Sequence, residues 1–139
     1  MILLDTNVLI YAFDHDSPFC HWARETIVDA VAGNSAAINA VSLAEICVGD
    51  ADPPTAADRI RSWGVEILDV PVAAADECAK AYRRYRQRRV SQSDVPVPIM
   101  PLPDFFIGAH AKIMGWELAT ADQGRFHTYF PSVPLKIPN

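Results

Sequence analysis

The chain has 139 residues, half of them apolar and 21% charged, with a formal net charge of −5, which is the composition of one globular domain over residues 1–139. No apolar run approaches the roughly 18 residues of a membrane span, and an N-terminal apolar stretch interrupted by Asp5 without a basic segment before it is not a secretory leader. The negative charge argues against broad electrostatic affinity for nucleic acid.

The first ten residues, MILLDTNVLI, carry an apolar run from Ile2 to Leu4 that stops at Asp5. An apolar run without alternation reads as a strand buried on both faces, the habit of parallel sheets. A short helix is expected over 6–14, broken at Asp14 to Pro18. Pro18 then opens a second helix over about 18–32, which stops at Gly33-Asn34. Ala36 to Asn39 is a candidate second strand, and residues 42–49 a third helix beginning Ser42-Leu-Ala-Glu45. Asp52-Pro-Pro-Thr55 opens a fourth helix, ended by Gly64, and Val65 to Val70 reads as a third strand. Residues 72–90 form a long helix, apolar at Val72, Ala75, Cys78, Ala79 and Tyr82. Pro96, Pro98, Pro101 and Pro103 then predict an extended connector. Asp104 starts a helix ended by Gly115, Glu117 to Thr120 is a fourth strand, Asp122 starts a turn or short helix, and Pro134 to Ile137 is a last strand. Strands alternating with helices predict an α/β fold with a central, mostly parallel sheet.

Cys20, Cys47 and Cys78 are odd in number, far apart, and form no Cys-x-x-Cys pair. Each lies in a helix-like segment, the usage of reduced thiols in a cytoplasmic protein. Basic charge is concentrated: six of the 12 Lys and Arg residues fall between Lys80 and Arg89. Arg84 and Arg88 share a helical face. Cations at a helix C-terminus suit its dipole and describe a solvated face, while a basic patch on an acidic protein also suits RNA phosphates. Tyr82 or Tyr85 lines a groove or the core.

Four carboxylates occupy equivalent places. Asp5 follows the first strand, Glu45 lies in the first turn of the helix after the second, Asp104 stands at the start of the helix before the fourth, and Asp122 follows the fourth. Strand C-termini and helix N-termini share one edge of such a sheet, where ligands bind. Each acid also has a local reading: Asp5 as an N-cap, Ser42-x-x-Glu45 as a capping box, Asp104 and Asp122 as caps. Jointly they would repel one another unless a hard cation joined them, and metal-assisted phosphodiester cleavage uses such a cluster.

The segments LLDTNVLI, SLAEI, LPDFFIGAHA and LATADQGRF, in this order, resemble the PIN-domain nucleases, specifically the VapC-type toxins of bacterial toxin–antitoxin pairs. The resemblance spans essentially the whole chain. It implies the PIN α/β/α sandwich and an Mg²⁺- or Mn²⁺-dependent endoribonuclease. It matches Asp5, Glu45, Asp104 and Asp122 to the family's acidic set, with Asp5, Asp104 and Asp122 holding the metal, and Asn7 and Thr120 to the polar positions that orient the acids. It further implies an RNA substrate, a cognate antitoxin and a homodimer. Gln123-Gly124-Arg125 before Phe126 brings no further carboxylate, a departure that bears on any second metal.

Two other readings compete. A haloacid-dehalogenase-type phosphotransferase also places an Asp after its first strand, but that chemistry wants a second Asp two residues on, where Asn7 stands. A catalytically silent PIN-like module would bind RNA or protein without cleaving, and the presence of all four acids argues against it. Asp14, His15, Asp16 and His21 read as a solvated loop, and His110 as a core or groove residue.

Overall fold

Short apolar strands whose side chains alternate between two cores set the architecture. The computed structural model describes residues 1–91 and 99–139. In chain order the elements are β1 (Ile2–Leu4), α1 (Thr6–Ala12), α2 (Cys20–Ala32), β2 (Ala36–Asn39), α3 (Ala40–Val48), α4 (Pro53–Ser62), β3 (Glu66–Leu68), α5 (Ala74–Ser91), α6 (Leu102–Met114), β4 (Glu117–Ala119), α7 (Gln123–Tyr129) and β5 (Leu135–Lys136). The strands make one five-stranded sheet in the order β3-β2-β1-β4-β5, with every pairing parallel.

Leu3, Ala37 and Leu118 belong to the core under α5, α6 and α7, with Ala81, Tyr85, Phe105 and Phe126. Leu4, Ile38 and Ala119 belong to the opposite core, with Val8 and Leu9 of α1, Ala23 and Ala30 of α2, and Ile60 of α4. The result is the expected α/β/α sandwich. The chain runs outward from β1 to β2 and β3, then crosses back to β4 on the other side of β1. The C-terminal ends of β1 and β4 therefore flank the point where strand order reverses, the place where such sheets open a crevice.

Several local expectations change. Helix α3 begins at Ala40 rather than Ser42, because Asn39 ends β2 in an extended conformation and its side chain accepts the Ser42 N–H. The capping box at Ser42 is therefore absent, and Glu45 stands in the second turn. Helix α6 begins at Leu102, ahead of Asp104. Pro103 is tolerated inside it because N–H groups of a first turn have no intrahelical partner to lose. Helix α2 begins at Cys20, two residues beyond Pro18. The buried stripe of α5 is Ala74, Cys78, Ala81 and Tyr85, while Val72 is exposed. Tyr85 is thus a core residue, its hydroxyl accepting the Met100 N–H, and Tyr82 packs against the same core. Pro96 and Pro98 lie outside the described residues. All three cysteines are free, and among the described residues no helix is long and apolar enough to cross a membrane.

Candidate active site

Asp5 leaves β1 as its backbone N–H continues the ladder to the Ala119 carbonyl of β4. The residue is 4% exposed, and each of its carboxylate oxygens accepts one hydrogen bond. One carboxylate oxygen accepts the Thr6 N–H at 2.8 Å and the other accepts the Thr120 hydroxyl at 2.8 Å. The N-cap reading and the site reading of Asp5 therefore hold together in one residue. The Thr120 hydroxyl also accepts the Asp122 N–H at 3.0 Å, so one hydroxyl fixes Asp5 and the turn that carries Asp122. Glu45 reaches in from α3 and accepts the Thr6 hydroxyl at 2.7 Å. Asn7 makes its contact through the backbone of the same turn, its side-chain oxygen accepting the Ala121 N–H at 3.3 Å.

Arg125 joins the other two acids. Its guanidinium donates from Nη1 to Asp104 at 2.7 Å and lies 2.8 Å through Nε from Asp122. All four predicted carboxylates line a single pocket of about 170 Å³ with Thr6, Asn7, Ile10, Arg125 and Phe126. Thr6 and Arg125 were not among the residues expected from sequence. The only hint of either was adjacency: Thr6 follows Asp5, and Arg125 sits one helical turn after Asp122.

Concentrated negative charge in a buried crevice shows in the acids themselves. Burial pushes the Asp5 carboxyl up to about 7, and Asp104 and Glu45 add to the rise while the Thr120 and Thr6 hydrogen bonds oppose it. Burial likewise raises Asp104, against the pull of Arg125, with Glu45 and Asp122 contributing repulsion. A cation would relieve both. The donor set is all carboxylate, which fits a hard divalent ion such as Mg²⁺ or Mn²⁺. Among the described residues, however, no three Asp, Glu, His or Cys side chains stand closed around a common point, and Arg125 spans two of the four acids.

Between the helices that carry two of the acids, the Asn39 amide that caps α3 donates to His110 of α6 at 3.2 Å. Because the Asn39 oxygen is committed to Ser42 N–H, its amide nitrogen faces the ring, so His110 accepts at Nδ1 and is neutral. Burial lowers its pKa in the same sense. This pair ties the helix bearing Glu45 to the helix bearing Asp104.

Two further surfaces adjoin the acids. A groove of about 490 Å³ between α1, α3 and α4 is lined by Leu9, Ile10, Phe13, Ile46, Ile60 and Trp63 and borders Glu45. Trp22 of α2 packs against the neighbouring core and does not line this groove. A second cavity, of about 370 Å³, holds Arg88, Met100, Asp122, Gly124, Arg125, Thr128 and Tyr129. Arg84 is anchored to the Tyr129 carbonyl at 2.9 Å. The two arginines of one helical face thus differ: Arg84 ties α5 to α7, and Arg88 borders the acid site. The residues Asp14 to Asp16 form an exposed turn.

Known structures share this fold. The crystal structure of VapBC2 from Rickettsia felis bound to a promoter DNA fragment matches at 21% identity over 100% of this chain and 100% of that chain, with a TM-score of 0.65. DNA-bound VapBC from Salmonella typhimurium matches at 19% identity over 98% and 96%, with a TM-score of 0.70. FitAcB from Neisseria gonorrhoeae matches at 21% identity over 97% and 96%, with a TM-score of 0.67. No curated protein matches by sequence. The PIN domain family model matches residues 2–130, nearly the whole chain, and on that match the chain belongs to the PIN domain family.

Proposed function

We propose that this protein is a metal-dependent endoribonuclease and the toxin of a toxin–antitoxin pair. The observation that carries the reading is the convergence of Asp5, Glu45, Asp104 and Asp122, from four separate parts of the chain, on one pocket at the switch point of a parallel sheet. Mg²⁺ or Mn²⁺ would be held by Asp5, Asp104 and Asp122. When bound, such an ion makes water a better nucleophile and offsets charge developing on a phosphodiester. The chain's own residues do the rest. Thr120 orients Asp5, Thr6 holds Glu45 in position to orient the attacking water and accept its proton, and Asn7 fastens the turn that presents Asp122. Arg88, at the rim, contacts RNA phosphate, while Arg84, expected to share that role, is tied to the Tyr129 carbonyl.

The toxin reading draws on relatives of the same fold that are toxin–antitoxin complexes, among them one from Klebsiella pneumoniae. An antitoxin segment with an apolar face suits the groove between α1, α3 and α4, and a partner arginine can extend from there past Glu45 to the acids, since guanidinium binds carboxylates in bidentate fashion. We assign the protein to the cytoplasm and expect a homodimer. A silent binding module remains the second reading, favoured by Arg125 spanning Asp104 and Asp122. One assay separates them. Purified protein with RNA should cleave in Mn²⁺ and stop in EDTA, and Asp104→Asn should abolish cleavage while still folding. Cleavage by Asp104→Asn at the wild-type rate refutes the site, and binding without cleavage supports the silent module. Growth arrest relieved by co-expressing the neighbouring small gene product tests the toxin role.

A further inference from the structure

We propose that Arg125 is a two-position residue: without metal its guanidinium latches Asp104 to Asp122, and when a divalent ion enters it turns into the adjoining cavity beside Arg88 to hold an RNA phosphate. The inference rests on the metal-dependent nuclease reading and adds a residue to it.

Three observations carry it. First, the latch is made by two charge-assisted contacts on two different acids, at 2.7 Å to Asp104 and 2.8 Å to Asp122. A single positive charge between two carboxylates relieves part of their repulsion, and a divalent ion binding the same oxygens relieves more. The guanidinium and the ion therefore compete for the same two acids. Second, the Arg125 side chain is 39% exposed and that of Asp122 42%, so the guanidinium can leave without opening the core and its pair with Asp122 is screened; Asp104, whose side chain is 10% exposed, is not left unpaired because the ion takes the guanidinium's place. Third, Arg125 and Asp122 line both the acid pocket and the cavity that contains Arg88. The second position is thus already formed on the other side of the same side chain. There two guanidiniums would face one cavity without a carboxylate between them once Asp122 is bound to metal, an arrangement that suits a phosphate. Arg84, by contrast, is committed to the Tyr129 carbonyl.

The test uses full-length protein, wild type and the variants Arg125→Gln and Arg125→Lys. Mn²⁺ binding is read by the electron paramagnetic resonance signal of free Mn²⁺, and binding of a short phosphorothioate RNA oligomer is read against salt with Mn²⁺ present. Removing the competitor should tighten Mn²⁺ binding by about three- to tenfold in Arg125→Gln, the range for two partly exposed ion pairs, with Arg125→Lys in between. The same variant should bind RNA more weakly, with the salt slope flattened by about 0.7 for one lost phosphate contact. Mn²⁺ bound by Arg125→Gln but not by wild type would support the latch in its strongest form. Mn²⁺ binding that is equal or weaker in Arg125→Gln overturns the latch, and an unchanged RNA salt slope overturns the second position, while either leaves the nuclease reading standing. If neither wild type nor variant binds Mn²⁺, the metal reading falls and the inference falls with it.

Discussion

Replacing Asp5 with asparagine should stabilise the metal-free fold increasingly as pH rises. The Asp5 carboxyl is raised from 3.8 to about 7, so between those values the folded chain binds a proton that the unfolded chain has released. Stability is therefore lost, not gained, as pH rises from about 4 to about 7, and levels off above that. Each unit of difference corresponds to about 1.36 kcal/mol, which puts the ionisation penalty near 4 kcal/mol at pH 8 as an upper bound and at less than half of that at pH 5. Asparagine removes the penalty but also disturbs the hydrogen bonds to Thr6 and Thr120, at about 1–2 kcal/mol. That disturbance does not depend on pH, so it cancels when two pH values are compared. The advantage of Asp5→Asn over wild type should thus grow by about 1–3 kcal/mol between pH 5 and pH 8, after allowing for relaxation around the site. In melting temperature this is several degrees, at about 3 °C per kcal/mol for a chain of this length. Thermal unfolding in EDTA at pH 5, 6, 7 and 8 measures it. A difference independent of pH, or one that shifts toward wild type as pH rises, would show that Asp5 is not a carboxyl strained by burial and acidic neighbours.

Asn39→Ala should lower stability by about 2–4 kcal/mol, since it removes a helix cap and strips His110 of its buried partner. A loss below about 1 kcal/mol in urea unfolding would contradict the tie between α3 and α6. Gly108→Ala should cost about 1–3 kcal/mol, because the new Cβ is driven into the Phe130 ring and a packed core has no slack to accept it. A melting temperature equal to wild type would show that Phe130 can yield. Arg88→Gln should weaken RNA binding and reduce its salt dependence, and an unchanged salt slope returns Arg88 to a solvated role.

The sheet was legible where a short apolar run closes on a polar residue: Ile2 to Leu4 before Asp5, Ala36 to Ile38 before Asn39, and Leu118 and Ala119 before Thr120. Four acids at equivalent strand and helix ends were legible for the same reason, since topology alone carries them to one edge. The four motifs that resemble the PIN nucleases agree with the family match over residues 2–130. What escaped depends on contacts between distant segments. Whether Ser42 or Asn39 caps α3 is decided by where β2 lets the backbone stay extended. The buried face of α5 includes Ala81 and Tyr85 rather than Val72 because α6, with Phe105, lies against it. Trp22 and Trp63 look alike in sequence, yet Trp63 lines a groove and Trp22 packs on the core, while Ile46 does both. Beyond its spacing from Asp122, nothing in the sequence sets Arg125 apart, and only the arrival of Asp104 from α6 gives it a second acid beside Asp122.

The central claim is that these carboxylates serve hydrolysis of a phosphodiester by water, and the chemistry of the cut ends tests it most directly. Each cut made by the purified protein in Mn²⁺ and ¹⁸O-labelled water should leave one new end with a terminal phosphate carrying one ¹⁸O and the other new end with an unlabelled hydroxyl, with no 2′,3′-cyclic phosphate, and no product should form in EDTA. Cyclic phosphate ends without label would mean that the RNA's own 2′-hydroxyl attacks, and cleavage persisting in EDTA would mean that the acids act without a metal; either result would contradict the account.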